Sequence, residues 1–268
     1  MKAAILDSTN NKIGEIKLPS QFEEEYRPDL IHRAVLAIQS HKRQGYAASE
    51  TAGKRASAKL SRRRRDYRGS YGIGISRVPR KIMTRRGMRM NWVGAFAPGT
   101  VGGRRAHPPK SEKIWWKKIN KKENTKAIRS AIAATIMKDV VAERGHLIPN
   151  NYPFILDDKF ETMNKTKDII QILKKLGLEN ELARIKEKKV RAGKGKARGR
   201  KYRKKKGPLI VVSKVDKLSM AVANIPGIDV VEVKSLNAEL LAPGAKAGRL
   251  VLWTIAAINI LEKENLFK

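Results

Sequence analysis

The chain reads as an α/β protein: one three-layer α/β/α domain with a mostly parallel sheet, interrupted by a long extended basic loop. Three observations predict this. Short apolar runs alternate with stretches of helical periodicity, and alternating strands and helices give a parallel sheet covered on both faces. Runs such as Leu209-Ile-Val-Val212 are apolar throughout, as strands buried on both faces are. The excess of positive charge is concentrated in two segments, which leaves a nearly neutral remainder able to fold around a core.

The elements follow in chain order. Lys2–Leu6 and Lys12–Leu18 read as short strands. Pro28 fits a first helical position, and Leu30, Ile31, Ala34, Val35 and Ile38 form an i, i+3, i+4 stripe behind it. Helical signals resume after the basic loop. Asn124 or Thr125 is a candidate cap, Ile128, Ala131, Ile132, Met137 and Val140 share a face, and Gly145 is the stop. Pro153–Leu156 reads as a short buried strand. A helix is predicted from about Lys165, with Ile169, Ile170, Leu173 and Leu176 inward and Gly177 as a break, and a second short helix reaching about Lys188. Pro208–Val212 and Ile228–Val233 are buried strands with a helix, Leu218–Asn224, between them. Leu250–Trp253 reads as a further strand passing into a helix over Thr254–Glu264, with a helix throughout as the alternative.

The formal net charge is +34, from 59 Lys and Arg against 25 Asp and Glu. Between Lys42 and Lys110 there are 19 cations against Glu50 and Asp66, a net +17. Between Lys186 and Lys206 there are 13 against Glu187, a net +12. The first of these stretches also holds half of the 20 glycines. So basic a segment buries too little apolar surface to offset its own ordering entropy, and long structureless insertions are uncommon unless functional or disordered. We read it as an arm ordered on a partner. The expected organisation is a single globular domain of residues 1–41 and 117–268, carrying a basic insertion at about 186–207, with an extended RNA-binding loop at 42–116.

Composition also excludes several classes. Charge of this density repels itself in a compact state and calls for a polyanionic partner; a basic pI, here about 10.6, is the footprint of nucleic-acid binding. No run of 18 apolar residues exists and residues 1–10 do not read as a signal peptide, so no membrane partner is expected. The absence of cysteine excludes disulfides and zinc ribbons and suits a reducing, cytoplasmic setting.

The motifs point the same way. Arg62-Arg-Arg-Arg65-Asp-Tyr-Arg68-Gly-Ser-Tyr71-Gly-Ile-Gly74 mixes guanidinium forks, which match phosphates, with rings that stack on unpaired bases. The candidate RNA-binding residues in the arm are Arg62, Arg63, Arg64, Arg65, Tyr67, Arg68, Tyr71, Arg77, Arg80, Lys81, Arg85, Arg86 and Arg89, then Arg104, Arg105 and His107 in the turn Gly102–Lys110. In the second stretch they are Arg191, Lys194, Lys196, Arg198, Arg200, Tyr202 and Arg203, where cation and small residue alternate and the chain can lie along a phosphate backbone. No G-x-x-x-x-G-K-[ST] loop occurs there, and no G-x-G-x-x-G loop follows the first strand, so no cofactor is expected. His32, His41, His107 and His146 lack ligand spacing, so no metal site is expected either. Trp115 and Trp116 close the arm, suited equally to stacking on bases and to packing at the domain edge. Asp157, Asp158 and Glu161 follow an apolar strand, where active-site carboxylates often sit, but they fit a strand-end turn and helix cap better. An RNA-modifying or RNA-cleaving enzyme built on those carboxylates, or a DNA-packaging protein, are the alternatives from other classes.

The arrangement resembles the universal large-subunit ribosomal protein L four family in its archaeal and eukaryotic form. The resemblance spans essentially the whole chain. It is carried by Gly102-Gly-Arg-Arg-Ala-His-Pro-Pro-Lys110, Val190-Arg-Ala-Gly-Lys-Gly-Lys-Ala-Arg-Gly-Arg-Lys-Tyr-Arg203, Gly207-Pro-Leu-Ile-Val-Val212, Leu241-Ala-Pro-Gly244 and Ala247-Gly-Arg-Leu-Val-Leu-Trp-Thr254. It implies an α/β/α domain with a long extended loop, and a structural role in the ribosome with no enzymatic one. It implies direct, early binding to large-subunit (23S-type) ribosomal RNA during assembly. It also implies a loop tip at the constriction of the polypeptide exit tunnel, falling near Arg64–Arg89, with the nascent peptide and a protein of the L twenty-two family as neighbours. Bacterial members carry a different tip from Arg65-Asp-Tyr-Arg-Gly-Ser-Tyr-Gly72, so residue roles known for that tip do not transfer.

Overall fold

The computed structural model describes residues 1–87 and 89–268. The chain forms two compact units, one of Met1–Lys42 with Trp116–Lys268 and one of Arg43–Trp115.

In the larger unit β1 (Lys2–Leu6) and β2 (Lys12–Lys17) form an antiparallel pair. Their turn is held by Asp7, whose carboxylate accepts from the Ser8 amide, and by Asn10 in the left-handed region. α1 (Pro28–His41) begins on the predicted proline and buries Ile31, Ala34, Val35 and Ala37. In the smaller unit β3 (Arg80–Arg86) and β4 (Arg89–Gly94) form a second antiparallel pair.

After it come α2 (Lys121–Ile136) and α3 (Lys138–Glu143). The predicted caps are displaced: Asn124 and Thr125 lie inside α2, because the turn Lys121–Glu123 extends the helix back to Asn120. Met137 is extended and separates the two helices, and Gly145 ends the second at φ +92°. β5 (Phe154–Leu156) is wholly buried. α4 (Thr166–Leu173) buries Ile169 and Leu173 but leaves Ile170 only half-buried; Leu176 is buried beyond it and Gly177 breaks the helix at φ +82°. α5 (Glu179–Lys186) ends short of Lys188, because that residue opens β6 (Lys188–Val190), which pairs with β7 (Tyr202–Lys204). β8 (Leu209–Val212), α6 (Lys217–Ala223), β9 (Asp229–Glu232), α7 (Ala238–Leu241), β10 (Val251–Thr254) and α8 (Ile255–Lys263) complete the chain.

The six-stranded sheet has the order β2-β1-β5-β10-β8-β9, and every pair except β1–β2 is parallel. β9 is therefore an edge, with Val231 its one buried residue, and not the doubly covered strand expected of an apolar run. Its neighbours Ile228 and Val233 supply the burial. Alternate residues of the central strands point to two separate cores. Leu209, Val211, Val251 and Trp253 pack with α1, α2 and α8. Ile210, Val212, Leu250 and Leu252 pack with α4 and α6. Helices thus cover both faces, and the architecture is α/β with a mostly parallel sheet.

One glycine before β10 is fixed by space. Gly248 has φ +84°, and a Cβ there would lie 2.5 Å from the Val140 carbonyl oxygen. Backbone cannot move aside cheaply, and a left-handed residue bearing a side chain adds strain. Gly248→Ala should cost about 2–3 kcal/mol, read as a lower urea midpoint at unchanged slope. A midpoint equal to the parent's would refute the close approach.

Candidate RNA-binding surface

The smaller unit is organised by a few local devices. Its sole carboxylate between residues 62 and 89, Asp66, ties the arginine run into a loop. It accepts from the Ser61 hydroxyl at 2.6 Å and the Tyr67 amide at 2.8 Å, while Gly69 N–H returns to the Asp66 carbonyl. Those bonds, the Ser61 hydroxyl first, hold its carboxyl below the usual range. Arg65 and Arg68 both sit at positive φ, 54° and 59°, conformations disfavoured for residues with side chains. The loop therefore holds its guanidinium groups outward at some backbone cost.

The rings and cations are interleaved. Arg85 lies 4.7 Å over the Tyr67 ring and donates to its hydroxyl at 2.9 Å; Arg68 covers the same ring at 5.3 Å. Arg77 lies 4.5 Å over Tyr71 and donates to its hydroxyl, with Arg64 at 6.0 Å. Arg80 approaches Trp92 at 5.9 Å. Exposed cation–π contacts of this kind contribute about 0.5–1 kcal/mol each. They hold the arginines without neutralising them. Tyr67, Tyr71 and Trp92, with Arg63, Arg65 and Arg89, line an open cleft of about 690 Å³.

The β3–β4 hairpin was not foreseen in the arm. Its apolar side chains are few, and Ile82, Met90 and Trp92 are only half-buried, so the period-two signal is weak. Pairing bulges between Ile82 and Thr84.

The turn bearing Arg104, Arg105 and His107 depends on Gly103. A Cβ there would stand 2.1 Å from the Ala97 carbonyl oxygen. Of the candidate residues in the arm, Arg80 and Arg104 are half-buried and the others are exposed. Trp115 stacks on Tyr46 at 5.4 Å, with Arg43 3.7 Å over its ring. Trp116 meets His41 edge-on. Both tryptophans are thus engaged by neighbouring side chains of their own units.

The second basic stretch is a hairpin, not a simple ribbon. β6 and β7 pair from Lys188↔Lys204 to Val190↔Tyr202, and Arg191 continues the ladder to the Lys201 carbonyl. Gly193 and Gly199, both at φ +76°, bracket a single helical turn over Lys194–Arg198. Arg191, Lys194, Lys196, Arg198, Arg200, Tyr202 and Arg203 are all exposed on it.

The carboxylates that an enzyme would need are otherwise employed. Asp157 accepts from the Asp158 amide, and Asp158 accepts from the Ala256 amide in the first turn of α8. Glu161 accepts from the Ser213 amide and from the hydroxyls of Ser213 and Thr254. Among the described residues no group of three His, Asp or Glu side chains is placed to hold a metal, and no helix is long and apolar enough to cross a membrane.

Fold and surface together define a class: an α/β protein with two strongly cationic, hairpin-containing segments. The chain belongs to the ribosomal protein L4/L1 family, whose model matches residues 16–264. It is similar to "Large ribosomal subunit protein uL4" of Nanoarchaeum equitans, 53% identical over the whole of both chains. It is also similar to the uL4 proteins of Methanococcoides burtonii, 47% identical over 97% of each chain, and Archaeoglobus fulgidus, 44% identical over 97% of this chain and 98% of the other. The family is one of structural ribosomal proteins and not of enzymes.

Proposed function

We propose that this chain is a structural constituent of the large ribosomal subunit, working in the cytoplasm, that binds large-subunit ribosomal RNA directly and early in assembly. Residues 1–41 and 117–268 act as the globular domain and residues 42–116 as the RNA-binding loop. The tip of that loop lines the polypeptide exit tunnel, beside a protein of the L twenty-two family and in reach of the nascent peptide. The observation that carries the RNA-binding reading is the segregation of charge. Net +29 of the +34 sits on two stretches whose candidate cations are almost all solvent-exposed. An isolated domain gains nothing from such crowding; a phosphate backbone neutralises it.

Counterion release provides the test. On single-stranded nucleic acid the log–log salt slope is about −0.7 per neutralised phosphate, so roughly ten contacts give a slope near −7. A measured slope flatter than about −2 would mean that these segments do not carry the affinity. Duplex DNA should compete poorly at matched salt; equal competition would favour a generic polyanion binder.

A further inference from the structure

A second cleft, of about 470 Å³, opens at the root of the β6–β7 hairpin, where the segments ending α3 and α5 meet the turn around Pro243–Lys246. We infer that this cleft binds consecutive phosphates of an RNA backbone, gripping the RNA where the second hairpin leaves the domain. The inference rests on the RNA-binding reading above and adds a site to it.

The charge in the cleft is unbalanced. Arg184 is paired with Glu181, Lys205 with Glu187 and Lys206 with Asp229. Arg144, Lys189, Arg203, Lys204 and Lys246 also line it, and among the described residues none of these five has a carboxylate partner within ion-pair distance. Arg144 is the informative one. Its guanidinium is half-buried and donates to backbone carbonyls of Pro243, Lys246 and Ala247. Burial, followed by the nearby Arg249 and Arg184, pushes it down to about 10. A cation held among cations without a counterion is stabilised by an incoming anion.

The walls are built and not merely crowded. Beneath the cleft Glu181 is fully buried and accepts from His146, Arg184 and the Leu147 amide. That network fixes the α5 end, and Arg184 in turn donates to the Lys206 carbonyl at the foot of β7. The hairpin strand and the domain therefore present their cations in a fixed arrangement, which lowers the ordering cost of binding.

The chemistry discriminates between parts of RNA. No Phe, Tyr or Trp side chain lines this cleft, and the imidazole of His146 that does is buried and bonded to Glu181, so a base finds no exposed ring to stack on. The arm cleft, with Tyr67, Tyr71 and Trp92, is the place for a base. Volume argues against a single small anion: a water occupies about 30 Å³, and one phosphate group would leave most of the space empty. A run of backbone phosphates fills it.

The test uses full-length protein and a 30-nucleotide oligouridylate, with inorganic tripolyphosphate as the small-anion probe. Lys189, Arg203, Lys204 and Lys246 are all changed to Gln. A control of equal charge changes the exposed Lys138, Lys165, Lys167 and Lys175 to Gln. If the cleft takes two or three phosphates, its variant should bind about tenfold more weakly near 0.15 M salt, with a slope shallower by about 1.4–2. The control should bind much as the parent does. Equal effects of the two sets would reduce the cleft to net charge and overturn the inference. So would tight, stoichiometric tripolyphosphate binding that oligouridylate cannot displace, since the site would then serve a free polyphosphate. An unchanged cleft variant in a protein that still binds RNA would remove the cleft and leave the RNA-binding reading standing. Failure of the parent itself to bind RNA would remove that reading.

Discussion

Replacing Arg62–Met90 by a short Gly-Ser linker is expected to leave the sheet intact and to weaken binding to large-subunit ribosomal RNA by about a hundredfold near 0.15 M salt. The excised segment carries eleven cations against Asp66, and even half of them on phosphates would account for that loss. It contributes little to the fold: among its described residues Ser70 is the one that is buried, and none of the described apolar side chains is. The β6–β7 hairpin and the Arg104–Arg105 turn remain, so binding should persist in weaker form. Position is tested separately. A photo-crosslinker in place of Tyr71, exposed and flanked by Arg64 and Arg77, should reach tunnel-lining RNA or a stalled nascent chain in assembled subunits. The same probe at Lys165, at the start of α4, should not. Labelling from Lys165 with Tyr71 silent would contradict the proposed orientation. Loss of the cooperative unfolding transition on truncation would show that the arm supports the fold.

What could be read from the chain depended on how local the physics was. β8 and β10 were legible because the apolar runs Leu209–Val212 and Leu250–Trp253 are buried throughout and need no partner to be recognised. α1 was legible from a proline and a stripe. β9 was misjudged because its apolar run looks the same whether or not a further strand lies beyond it; its edge position is a fact of topology. The cationic segments were legible as charge, but their hairpins were not, since strands with exposed faces carry little apolar alternation. The role of Trp92 in the arm cleft was missed, for its immediate neighbours Asn91 and Val93 carry no charge to mark it as part of a binding motif. The Asp229–Arg249 pair and the His146–Glu181–Arg184 network join residues up to 38 positions apart. In sequence each resembles an ordinary solvated charge. The cleft at the hairpin root is built from four segments and is equally invisible along the chain.

That buried network carries the second large effect. Glu181→Gln is expected to destabilise the protein by about 3 kcal/mol at pH 7, because neutralising one partner of a buried pair strands the others. The Glu181 side chain is fully buried, and it accepts from Arg184 at 2.6 and 2.7 Å, His146 at 2.7 Å and the Leu147 amide at 3.0 Å. Arg184 keeps 18% of its side-chain surface in solvent, which draws the cost toward the lower end of the range for broken buried pairs. Burial alone would raise the Glu181 carboxyl. Its hydrogen bonds, those from Arg184 and His146 foremost, outweigh burial and hold it at about 2, against an ordinary 4.5. A carboxyl depressed in the folded state contributes stability that is fully present above its unfolded value and is lost as pH falls toward its folded value. The stability gap between parent and Glu181→Gln should therefore be widest at neutral pH. It should close between about pH 4.5 and pH 2, as the parent's own carboxyl becomes protonated and comes to resemble the amide. His146 acts in an earlier window. Burial is the largest influence on it and keeps it below its ordinary 6.5 despite the pull of Glu181, so the unfolded chain takes up its proton first and acidification below about 6.5 weakens both proteins. Urea titrations at a series of pH values separate the two contributions. A gap that stays constant from neutral pH to pH 3, or one below about 1 kcal/mol throughout, would mean that the carboxylate charge does not stabilise the wall beneath the cleft.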